Sequence, residues 1–142
     1  MKMKFRSQVD FFFLPGIALA IVLVLMFIAS REYDLSNQSV WFDKAMHVLG
    51  GAGSCSLGCW VIVNLPASLR TRILSLGFPL IGRVSALFFG IDWEVAEALF
   101  PIITENIPQG RWDTGFDLLF DYIGGHIAGK LYERRVRQLG GE

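Results

Sequence analysis

Residues 11–29 read FFFLPGIALAIVLVLMFIA, a run without a single charge. At a rise of about 1.5 Å per residue this stretch makes a helix of about 28 Å, close to the thickness of the hydrocarbon layer of a bilayer. Lipid is therefore the predicted solvent, and composition agrees: 53% of the 142 residues are hydrophobic and only 18% charged, outside the usual soluble range. The preceding MKMKFR resembles the basic opening of a signal peptide. The apolar run exceeds the usual length of about 7 to 15 residues, however, and Phe27-Ile28-Ala29 has no small residue at its first position, so a retained anchor is expected.

Three more spans are predicted downstream, giving an all-α, polytopic membrane protein with four transmembrane helices in a single domain over residues 1–142. The second covers about 45–65, AMHVLGGAGSCSLGCWVIVNL, and is closed by Pro66 and a polar turn around Arg70 and Arg72. A third is placed at about 80–101 and a fourth at about 114–132, with residues 133–142 as a short basic tail. Cys55 and Cys59, four apart inside the second span, fit no zinc-ribbon or redox spacing and are expected to be small packing residues.

Lys and Arg in the connecting segments set the orientation. Lys2, Lys4, Arg6, Arg70, Arg72, Lys130, Arg134, Arg135 and Arg137 fall on the side shared by both termini, against Arg31, Lys44 and Arg111 on the other. Both termini are thus expected in the cytoplasm, the protein in the cytoplasmic (inner) membrane, and Trp41, Trp93 and Trp112 in an aromatic belt at the outer interface. Net charge is zero, so composition carries no nucleic-acid signal. There is no GxSxG elbow, P-loop or GxGxxG motif.

With this topology the titratable residues of three spans fall in one outer layer. Asp43, Lys44 and His47 open the second span, Glu94 and Glu97 close the third, and Arg111, Asp113, Asp117 and Asp121 open the fourth. Positions three or four apart share a helix face, and each helix passes that test. Asp113, Asp117, Asp121, Gly125 and Gly129 form one stripe; Asp43, His47, Gly51, Cys55 and Cys59 form a second; Ala86, Gly90, Glu94 and Glu97 form a third. Small residues at this spacing draw helices together in lipid, so the acidic ends should converge. An Asp at the centre of a lipid-facing helix costs about 2.5 to 3.5 kcal/mol, which argues that Asp117 and Asp121 line a shared, partly wet cavity instead.

Six carboxylates against Lys44 and Arg111 cannot all stay ionised without further compensation. Three readings stay open: a divalent metal (Zn, Mn or Fe, because a histidine takes part) held by His47, Asp117 and Asp121; a hydrogen-bonded, partly protonated structural network; or a proton or ion path. His126, nine positions past Asp117, falls about half a turn away and is expected to pack. Asp92 falls off the Glu94 face, and Arg83 is expected to snorkel toward the inner interface.

The ordered motifs DKAMHVLGG (43–51), WEVAE (93–97) and DTGFDLLFDYIGGHIAG (113–129) together resemble the VanZ-like small integral membrane proteins over roughly residues 43–130. That family shows a D-K-x-x-H opening, an acidic pair closing the next helix, and D-x-x-x-D or D-x-x-x-N before a glycine pair. The resemblance implies that Asp43, Lys44, His47, Glu94, Glu97, Asp117 and Asp121 make the functional layer. It also brings an association with resistance to the glycopeptide antibiotic teicoplanin, without a settled chemistry. Glu97 and Asp121 stand where members often carry Gln and Asn, and both changes add negative charge.

The expected function is an outward-facing acidic intramembrane cavity that binds a cation or a lipid headgroup and acts on an envelope lipid. In an enzymatic version, a metal-dependent hydrolase or transferase, Glu94, Glu97 and Asp43 are the catalytic candidates, His47, Asp117 and Asp121 the metal ligands, and Lys44, Arg111 and Asp113 the headgroup contacts. The alternative is a non-catalytic structural or assembly subunit, a homo-oligomer or part of a larger membrane complex, docking through Asp92, Phe88, Phe89 and Phe100. Expected partners are membrane lipids and no nucleic acid.

Overall fold

A computed structural model describes residues 5–33, 40–99 and 112–140. Among them all regular structure is α-helix: α1 (Phe5–Tyr33), α2 (Val40–Val63), α3 (Ala67–Leu74), α4 (Phe78–Leu99) and α5 (Asp113–Gly140). Arg111, Phe100 and the last two residues of the third expected span lie outside the described residues.

The stretch Phe11–Ser30 of α1 and the stretch Trp41–Val63 of α2 are each long and apolar enough to cross a membrane. A third span results if α3 and α4, bent by 99° at the break between them, are counted as one. The four-span expectation is thus met in part, for a physical reason: α4 carries Arg83, Asp92, Glu94 and Glu97, and α5 carries Asp113, Asp117, Asp121 and Lys130. Those charges leave neither helix the uninterrupted apolar face that lipid demands of a lone span.

Instead the polar helices pack on one another. Helices α2, α4 and α5 contact each other in all three pairings, and α1 lies along α2. Small residues set the spacing. A Cβ on Gly51 would overlap the backbone carbonyl of Asp121, one on Gly124 that of Val48, and Gly82 and Gly125 face each other's carbonyls across α4 and α5. Backbones this close exclude any side chain between them, which is how small-residue stripes hold helices in lipid. Cys55 and Cys59 are free thiols with no solvent exposure, in the core with Phe12, Val63, Ile81 and Ala128.

Two segments differ from expectation. The polar turn around Arg70 and Arg72 is the short helix α3, which Pro66 opens and Gly77, at φ 88°, separates from α4. A positive φ costs glycine nothing, so Gly77 lets the chain turn sharply upward. The basic tail is helical to Gly140, continuing α5 beyond the level of α4.

These contacts predict a clear contrast between two glycines of α5. Gly124→Ala forces a methyl group into the Val48 carbonyl and should cost about 1 to 3 kcal/mol, read as a lower unfolding temperature in detergent. Gly115, with nothing within 4 Å of an added Cβ, should accept alanine with no loss and a gain of up to about 1 kcal/mol.

Candidate functional site

Helices α2 and α5 both begin at the same end of the bundle, where α4 finishes. Their first turns carry Asp43 and Asp113, so each carboxylate sits at the positive end of a helix dipole. One turn further in, Asp117 joins them, and the ammonium of Lys44 lies among all three. Its Nζ is 2.9 Å from Asp43 Oδ2 and 2.7 Å from Asp113 Oδ1, and it also donates to Asp117 Oδ1. The Lys44 side chain is only 6% exposed. It is held between two helices as their shared counter-ion.

His47 lies one turn below Asp43 and bridges α2 to α5. Its Nδ1 is 3.1 Å from Asp121 Oδ2, while Nε2 is 3.4 Å from Asp117 Oδ1 and 4.0 Å from Asp43 Oδ1. With Nδ1–H donating to Asp121, Nε2 faces two carboxylate oxygens, and acceptors cannot face acceptors unless a proton or a metal ion lies between them. One atom of each of Asp43, His47 and Asp117 can be chosen so that all lie within 4.8 Å of one another. A tetrahedral ion with bonds of about 2.1 Å has ligands about 3.4 Å apart, so the Nε2–Asp117 separation fits such a centre. Asp121 lies on the opposite side of the ring, at Nδ1.

Room for Asp121 comes from glycines. A Cβ at Gly90 of α4 would lie 2.5 Å from Asp121 Oδ2, and one at Gly50 of α2 would lie 3.4 Å from Oδ1. The side chain is thus enclosed by three helices, and the residue is 5% exposed.

The acids of α4 face the same layer. Glu97 accepts a hydrogen bond from Trp93 and lies within electrostatic reach of Glu94, His47 and Asp117. Glu94 Oε1 is buried without a hydrogen-bond partner among the described residues. Asp43, Lys44, His47, Asp113, Asp117 and Asp121 therefore come together in direct contact, with Glu97 beside them. One feature had no signal in the sequence: the placement of Asp117 and Asp121 on opposite nitrogens of His47.

Other residues fall elsewhere. Arg83 donates to the Tyr122 hydroxyl at 3.2 Å and stacks 5.6 Å from that ring's centroid, so it has a partner within the bundle. His126 is not in the cluster, and its Nδ1 is buried with no hydrogen-bond partner among the described residues. Asp92 is exposed.

Comparison with protein families gives one result: the family model described as "Predicted membrane protein (DUF2238)" matches residues 2–138. Comparisons with curated proteins and with solved structures each return no match.

Removing one member of a buried charge cluster strands the rest. Lys44→Met leaves Asp43, Asp113 and Asp117 facing each other and should destabilise by about 3 to 5 kcal/mol. Combining it with Asp117→Asn should recover part of that loss, and thermal unfolding of the two single variants and the double variant in detergent checks the coupling.

Proposed function

The chain belongs to the family of predicted membrane proteins DUF2238, and on that premise we propose that its polar layer binds a divalent cation and, through it, an anionic lipid headgroup. This reading takes the protein as a four-span, VanZ-like component of the cytoplasmic membrane, with both termini inside and the His47 cluster at the outer interface. The observation that carries it is the geometry of His47: Nδ1 is committed to Asp121, and Nε2 faces Asp117 and Asp43 at 3.4 and 4.0 Å. Zn, Mn or Fe suits a site of one imidazole and two carboxylates. Charge points the same way, since among the described residues Lys44 compensates one of the six carboxylates Asp43, Glu94, Glu97, Asp113, Asp117 and Asp121. A bound cation with open coordination positions would attract a phosphate, and Glu97 or Glu94 would act as base in a hydrolase or transferase version.

The test is metal analysis of protein purified in detergent without chelator. One equivalent of divalent metal is expected in the wild type and a loss of it in His47→Ala and Asp117→Asn. Asp121→Asn should keep the metal but weaken its affinity by about 10- to 100-fold. A wild-type protein without stoichiometric metal, and with no affinity for added Zn, Mn or Fe, overturns the reading.

Lys44 favours the second reading, a structural or assembly subunit. Its ammonium already satisfies three carboxylates, and a protonated His47 completes an internal network that fixes how α2 and α5 register. Copurification in fixed ratio with a larger complex, lost on Asp92→Ala, would favour this reading over the first.

A further inference from the structure

The end of the bundle opposite His47 is built differently. Gly129 of α5 abuts the Phe78 carbonyl and Pro79 at the start of α4, so Lys130–Gly140 continue past α4 by about 16 Å. At that level α3 lies across the bundle, because it is bent 99° from α4. Its faces are distinct: Leu69 and Ile73 share one, and Ser68, Thr71 and Ser75 the other. Ile73 and Leu74 pack against the core, while Leu69 and Leu76 are 45% and 59% exposed.

Charge at this end is mostly basic. Arg70 and Arg72 on α3 and Lys130, Arg134, Arg135 and Arg137 on α5 stand against one acid of those segments, Glu133. Arg70 is used locally, donating to the Val63 carbonyl at 3.0 Å, and Arg135 stacks 5.0 Å from the Phe11 ring centroid. Lys130 and Arg137 share Glu133 at 3.8 and 2.9 Å. Arg72 and Arg134 are exposed.

We propose that α3 and the last turns of α5 form an interfacial platform that binds the anionic phospholipid headgroups of the adjoining leaflet. A short helix in the plane of the interface lowers its apolar side chains to the acyl boundary and keeps its cations at headgroup level. Exposed Leu69 and Leu76 beside Arg72 fit that boundary, whereas a nucleic acid would satisfy the arginines and leave both leucines in water. Complementarity with an anionic surface is worth about 1 kcal/mol per basic residue near it. The platform does not depend on the cation reading, since none of its residues belongs to the His47 cluster.

The full-length chain, reconstituted in equimolar phosphatidylcholine and phosphatidylglycerol, is probed with spin-labelled versions of each lipid. A preference for phosphatidylglycerol is expected that weakens as salt rises. It should fall by up to roughly fivefold for each arginine removed in Arg72→Gln and Arg134→Gln. The charge-preserving Arg72→Lys and Arg134→Lys should retain it. Equal association of the two lipids, a preference indifferent to salt, or its survival in the combined Gln variant overturns the proposal; so does its loss in the Lys variants, which would mark a packing effect.

Discussion

One ammonium ion, buried among carboxylates from two helices, is the constraint around which the rest of the bundle is arranged. Charges withdrawn from water are costly to hold, and they persist only when geometry and hydrogen bonds compensate them. Lys44 meets that condition from α2 by taking Asp43 of its own helix and Asp113 and Asp117 of α5. Its reach across the interface depends on the backbones being in contact one turn and two turns further in, where Gly51 meets Asp121 and Gly124 meets Val48. The glycines and the ion pairs thus form one device: close packing makes the bridge possible, and the bridge makes an aspartate-bearing helix tolerable in a membrane protein.

The opposite end holds the helices by other means. Phe12, 2% exposed, lies 4.9 Å from the Tyr132 ring and 5.9 Å from the Phe78 ring, centroid to centroid, so α1, α4 and α5 meet through aromatic faces. The Tyr132 hydroxyl finds Ser56 of α2 at 2.7 Å, which leaves its polar tip satisfied inside an apolar cluster. Ionic contacts at one end and aromatic contacts at the other give the bundle two separate anchor points, and the thiols of Cys55 and Cys59 pack with the aromatic cluster.

Much of this was legible in the sequence because faces follow from spacing. The four-residue recurrence of Asp113, Asp117 and Asp121 above Gly125 and Gly129 placed acids and close contacts on one side of α5, and the matching stripes on α2 and α4 converged as that pattern implied. Spacing does not report side-chain torsions, however, so nothing in it could put Asp117 and Asp121 on opposite nitrogens of His47. The helix α3 was hidden for another reason: eight residues with two arginines between Pro66 and Gly77 read equally well as a turn. Nor does spacing pair Arg83 with Tyr122, 39 positions away, a separation over which sequence pattern carries no information.

Gly90 has a consequence for how this chain can change over evolutionary time. The oxygen of Asp121 that an added Cβ would meet at 2.5 Å is the same one that holds His47 Nδ1. A side chain at position 90 therefore shifts the carboxylate that meets the imidazole, unless a shorter residue stands at 121. Substitutions at these two positions, 31 apart in the chain and on different helices, should be inherited as a pair.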